Sequence, residues 1–170
     1  YGLNPNQNEG IYSCFNWGDA EVFLLDNRFF KSPNDRLTGE KVLLGKIQIE
    51  WLIDALVSSK ASFKIIVIGG QVLSSAAVFE NYENYKTEKE ELLNEITANK
   101  IKGVTFISGD RHFTELSMLK RPEAYALYDW TVSPLTSGYG NIEKIAKEEN
   151  KNRVEGSLFA QHVFGTLSFS

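Results

Sequence analysis

The stretch Gly103-Val104-Thr105-Phe106-Ile107-Ser108-Gly109-Asp110-Arg111-His112-Phe113-Thr114-Glu115-Leu116 decides how this chain is read. Its first half is apolar and β-branched, the composition of a buried strand. It stops at Ser108 and gives way to a glycine, a carboxylate, a guanidinium and an imidazole. Gly109 is expected to let the chain turn sharply and to let another group approach the backbone. Asp110 and His112 stand two residues apart. In an extended segment such positions point the same way, so both are expected to converge beyond the carboxyl end of the strand. In open α/β sheets that crevice is where ligands bind. An oxygen and a nitrogen donor there suit a metal such as zinc, iron or manganese. A plainer reading stands beside this one: Gly-Asp after a strand is common turn chemistry, and the histidine is then structural.

Two further apolar runs lie upstream. Glu21-Val22-Phe23-Leu24-Leu25-Asp26 ends on a carboxylate followed by Asn27 and Arg28. It either repeats the grammar of the first stretch or is a strand-ending aspartate beside a solvated arginine. Phe63–Ile68 ends in Gly69, Gly70 and the polar Gln71. Between these runs Leu44–Ser59 reads as a helix, with Ile47, Trp51, Leu52, Ala55 and Leu56 on one face and Lys46, Glu50 and Asp54 on the other. A second helix opens at Thr87, where Thr87-Glu88-Lys89-Glu90 fits a capping box. It runs to about Asn99, with Leu92, Leu93 and Ile96 inward and its glutamates solvated. Strand, helix, strand, helix, strand implies βαβ crossovers and a largely parallel sheet. The sheet would then deliver Asp26, Gln71, Asp110 and His112 to one edge, which is the argument for a site.

The remaining segments read as periphery. Tyr1–Gly10 is a loop around Asn4-Pro5-Asn6. Ile11–Asn16 is a strand joined to the run at Glu21 by a turn at Trp17-Gly18-Asp19, a hairpin. Lys31–Lys41 and Ser74–Tyr85 are loops, the second lying over the site edge. Ala126–Val132 is a strand closing in a polar turn to Gly138, and Asn141–Glu149 a short helix. Ser157–Ala160 and Val163–Phe169 are read as a closing pair of strands, with His162 structural among them.

Composition narrows the function classes. The 170 residues are 42% hydrophobic, enough for one domain with a real core. The net charge of -4, without a dominant Lys/Arg cluster, argues against a sequence-independent grip on nucleic acid. The single cysteine, Cys14, excludes an internal disulfide. The apolar runs are too short for a bilayer-spanning helix. Neither G-x-G-x-x-G nor a P-loop is present, against a nucleotide-binding domain. The chain opens on Tyr1 in a polar, turn-rich segment and is read as a piece of a longer protein.

Four stretches together resemble the C-terminal half of the PhoD-like alkaline phosphatases, a branch of the metallophosphatase superfamily. They are Trp17–Arg28, Leu44–Leu52, Ser108–Leu116 and Thr131–Gly138, in family order. The Gly70-Gln71-Val72 segment echoes the same family. The resemblance implies an α/β fold, the C-terminal part of a four-layer α/β/β/α sandwich with a mixed sheet, so that residues 1–170 form one partial domain. It implies hydrolysis of phosphate mono- or diesters at a two-metal centre that activates a water, with iron, calcium, manganese and zinc not distinguished. Asp110 and His112 are carried over as metal ligands, and His112 also as the group that assists proton transfer to the leaving alkoxide. Arg28 and Arg111 are offered, by inference from their chemistry, as bidentate partners for phosphate oxygens. Gln71 stands where many metallophosphatases carry a metal-binding histidine. Most metal ligands of the family lie in its N-terminal half, so the expected partner is that missing half. The isolated chain is expected to be inactive, and to dimerise through an uncovered sheet face. A periplasmic or extracellular address is the family's implication. The alternative is a non-catalytic remnant or interaction module of the same fold.

Overall fold

The β-branched runs pair into one mixed sheet in the computed structural model, which describes residues 10–122 and 124–169. Strands β1 (Ser13–Trp17), β2 (Ala20–Leu24), β3 (Phe63–Val67), β4 (Val104–Ser108), β5 (Glu115–Arg121) and β6 (Ala124–Thr131) lie in the order β1-β2-β3-β4-β6-β5. The four central strands β2, β3, β4 and β6 are parallel, and the edge strands β1 and β5 are antiparallel to their neighbours. Helices α1 (Lys46–Ser58) and α2 (Lys86–Ala98) form the crossovers, and a short α3 (Ile142–Ala146) follows the last strand. Nearly all of the loop at Tyr1–Gly10 lies outside the described residues.

Alternation along the strands puts Cys14, Phe23, Ile66, Phe106 and Leu127 on one face. That face, α1 and α2 share a single core with Leu52, Leu56, Leu92 and Ile96. Both crossovers step the same way across the sheet, so a common hand places both helices on that side. The second face carries Phe15, Trp17, Leu24 and Tyr128, all exposed. It is crossed by the C-terminal segment, whose Phe169 ring lies 4.6 Å from that of Phe63.

Several expectations are corrected by local competition. The buried stripe of α1 is Gln48, Ile49, Leu52, Ile53 and Leu56, leaving Ile47 exposed. The helix is rotated because Gln48 is drawn in: its amide accepts from the Asp26 N–H at 2.8 Å and donates to the carbonyls of Asp26 and Leu44. Helix α2 begins at Lys86, with no side-chain cap, so Thr87 forms no capping box. Glu88, read as solvated, is buried. Its carboxylate accepts from the N–H groups of Leu43, Leu44 and Gly45 at 2.7, 3.1 and 2.6 Å, and so caps the approach to α1 from the neighbouring helix. Strand β5 escaped the sequence reading because its inward positions are polar, Glu115 and Ser117. Among the described residues, no strand pair forms at Ser157–Ala160 and Val163–Phe169. The edge of β5 is already bonded by the preceding segment, Met118 N–H to Asn152 O at 2.7 Å and Val154 N–H to Leu116 O at 2.8 Å. Only one bridge, Thr114 to Phe159, remains for the tail. His162 is exposed and bonds the Ser137 carbonyl at 3.0 Å.

Removing Glu88 strands three backbone donors. Glu88→Ala should lower the unfolding free energy of the chain by about 2–4 kcal/mol, read from urea denaturation. The exposed Glu90→Ala on the same helix should stay within about 0.5 kcal/mol. Equal effects would remove the capping role.

Candidate functional site

The carboxyl ends of β2, β3 and β4 share one sheet edge. Gly69, after β3, is approached closely there: a Cβ would lie 2.9 Å from both amide atoms of the Asn27 side chain, which would have to shift. The turn after β4 is not made by Gly109, whose backbone is ordinary. Asp110 and His112 make it, with φ of 68° and 56°. The Arg111 N–H closes on the Gly109 carbonyl at 2.8 Å, a three-residue turn around Asp110. Such turns with positive φ at the centre are rare and strained, and strained backbone concentrates at functional sites. The extended geometry expected for Asp-x-His is therefore replaced by two consecutive left-handed bends flanking Arg111.

Those bends alternate outside and inside. Asp110 and His112 are exposed. Among the described residues neither side chain makes a hydrogen bond or ion pair. Both line a cleft of ≈ 440 Å³ with Phe79, Lys144 and Ile145. Between them Arg111 turns into the protein and is buried. Its guanidinium sits over the rings of Phe79 and Phe113, 4.9 and 5.0 Å from their centroids. It donates to Glu148 Oε1 at 2.7 Å, Gln71 Oε1 at 3.1 Å and Asn81 Oδ1 at 3.4 Å. The guanidinium offered to phosphate by the sequence is thus engaged internally.

Gln71 likewise lies inside. Its amide donates to Glu115 and Thr131 and accepts from Asn81 and Arg111. Asp26 is an anchor: Oδ1 accepts from Arg28 N–H and Phe29 N–H, and Oδ2 from Ile11 N–H. Burial alone would raise its carboxyl, but those three donors hold it below its ordinary value. Arg28 stays 62% exposed and is ion-paired with Glu80, which also takes Lys31. Burial opposes ionisation of Glu80, and hydrogen bonds from Lys31, Arg28 and Asn34 outweigh it, holding its carboxyl below its ordinary value. Two residues of the cleft carried no signal in the sequence. Phe79 sat in a segment without periodicity, and Lys144 in a short helix of ordinary polar composition.

Arg111→Ala removes a buried cation and leaves Glu148 and Gln71 short of a donor. Unfolding free energy should fall by about 2–4 kcal/mol, and Arg111→Lys should not restore it, because one ammonium cannot reproduce the fork. Full rescue by lysine would refute the anchoring role. Glu80, with its folded value depressed, stabilises above its unfolded value and loses that contribution as pH falls through the folded one. The stability gap between the native chain and Glu80→Gln should be widest near neutral pH and narrow as pH falls through the ordinary glutamate range and below it. A gap independent of pH, measured by denaturation across that range, would contradict it.

The comparisons agree on a family. The solved "Structure of PhoD" superimposes with a TM-score of 0.74 over 89% of this chain at 20% sequence identity. The chain spans only 34% of that structure, about a third of its length. No curated protein matches the sequence. The sequence profile of the family described as PhoD-like phosphatase matches residues 2–164. The mixed six-stranded α/β sheet is the fold it shares with PhoD, and the chain belongs to the PhoD-like phosphatase family.

Proposed function

We propose that this chain carries one edge of a metal-dependent phosphoesterase site, hydrolysing phosphate mono- or diesters, with Asp110 and His112 as metal ligands. The observation that carries the reading is the pair of unengaged donors on a strained turn at the end of β4, in a chain of this family. The strain that buries Arg111 leaves the two flanking side chains in the cleft, and strained backbone concentrates at functional sites. An oxygen and a nitrogen donor fit iron, zinc or manganese. Among the described residues no three His, Cys, Asp or Glu cluster to hold an ion. Metals take four or more ligands, so in this reading the described residues supply part of the set and the rest comes from elsewhere. When bound, the ions would activate a water and clamp the phosphoryl oxygens. Where His112 is not itself bound to a metal, its ring, without a hydrogen bond among the described residues, is the group we assign to proton transfer toward the leaving alkoxide. Arg28 at the end of β2 and Lys144 in the cleft are the cations we assign to the phosphate. The exposed sheet face with Phe15, Trp17 and Leu24 is where we expect the rest of the domain, or a second copy, to pack.

The incomplete ligand set also favours a second reading, a non-catalytic remnant that keeps the fold. Metal analysis of the intact protein, with p-nitrophenyl phosphate and bis-p-nitrophenyl phosphate as substrates, separates the two. Asp110→Asn and His112→Ala should each lower kcat/KM by at least about 100-fold and reduce bound metal. Full turnover in both variants would take these residues out of the site. An intact protein that binds no metal and turns over neither ester would support the remnant.

A further inference from the structure

We propose that Phe79 is a specificity-determining residue, its ring forming an apolar wall of the cleft that favours phosphate esters with an aromatic or flat apolar alcohol. The proposal rests on the phosphoesterase reading above and names the substrate class for it. Phe79 is 75% exposed and its backbone is left-handed, with φ of 48°. For a bulky residue that conformation is a true outlier. The chain therefore bears a strained backbone and a wet aromatic ring at one position, with no core burial in return.

The ring is nevertheless held in place. The Phe79 carbonyl accepts from Asn84 Nδ2 at 2.9 Å, and Asn81 N–H donates to the Val78 carbonyl at 3.1 Å. Asn81 Nδ2 fixes the start of the same loop through the Ala76 carbonyl at 3.1 Å. The Arg111 guanidinium backs the ring at 4.9 Å. Packing on Arg111 does not by itself require Phe79, because Phe113 already supplies that cation with a fully buried ring. What remains is a fixed, open aromatic surface in the cleft that holds Asp110 and His112, with Ile145 adding further apolar lining. A preformed surface binds with little ordering cost, and aromatic contacts add affinity beyond area alone.

The test is calorimetric binding of phenylphosphonate and methylphosphonate to the intact protein, its Phe79→Ala variant and its Phe79→Tyr variant. The native protein should prefer the phenyl compound by about fivefold or more. Phe79→Ala should weaken phenylphosphonate more than methylphosphonate, so that the preference is erased, and Phe79→Tyr should keep it. The proposal is overturned by an equal preference in native and alanine proteins, by no preference in the native protein, or by equal weakening of both compounds. Turnover of p-nitrophenyl phosphate by the native protein reports separately on the phosphoesterase reading. Turnover without a phenyl preference removes the role of Phe79 and leaves the enzyme; a preference without turnover does the reverse.

Discussion

A single buried guanidinium sets the shape of the candidate site. Arg111 lies between the two residues that face the cleft, and its side chain runs the opposite way, into a cage of Phe79, Phe113, Glu148, Gln71 and Asn81. Taking a cation out of water is costly unless it is paired and hydrogen-bonded. Here Glu148 neutralises it and two amide oxygens complete its shell. The inward pull requires the chain to reverse on either side, and the two left-handed residues are that reversal. Each costs about 1–2 kcal/mol. The exposed positions of Asp110 and His112 are thus a consequence of what their neighbour does.

The cage is continuous with the sheet. Gln71, fixed by Arg111, reaches Glu115 at the start of β5, which also takes Arg153 at 2.5 Å and Asn150 at 2.8 Å. Asp129 of β6 accepts from Val72 and Leu73 N–H and from the Ser108 hydroxyl. Among the described residues it has no cation partner. Burial pushes its carboxyl up, the neighbouring Glu115 charge adds to that, and the three donors oppose it. The ends of β3, β4, β5 and β6 are therefore tied by polar contacts where a hydrophobic core would slide more easily. Side-chain networks of this kind specify one arrangement, and a site gains from ligands backed by a locked layer.

The crossover order of the sheet was legible because it rests on periodicity: apolar β-branched runs alternate with amphipathic helices, and few topologies accommodate that alternation. What escaped was everything decided by a polar side chain turned inward. Gln48 rotates α1 by its bonds to Asp26, Glu88 caps a helix other than its own, and Glu115 and Ser117 disguise β5. Each partner is distant in sequence, 43 residues between Glu88 and Gly45, so no local pattern marks it. The same applies at the site. Asp110 and His112 are visible as residue types, but their outward aim depends on Arg111, whose acceptors come from the segment after β3 and from beyond α3. Phe79 and Lys144 left no trace, since their place in the cleft is set by tertiary packing alone.

Two aspartates on the same sheet edge differ in how far the backbone has already engaged them. Asp26 already accepts three backbone N–H groups, from Ile11, Arg28 and Phe29, and they hold its carboxyl low. Moving it onto a metal would orphan those donors and undo the turn after β2, a penalty of about 1–3 kcal/mol for each group left unpaired. Among the described residues Asp110 has no such ties. Its backbone strain is borne by the Arg111 cage, so its carboxylate can approach a cation without breaking any bond the fold depends on. Both residues stand at the same edge; backbone donors engage the first, and among the described residues none engages the second.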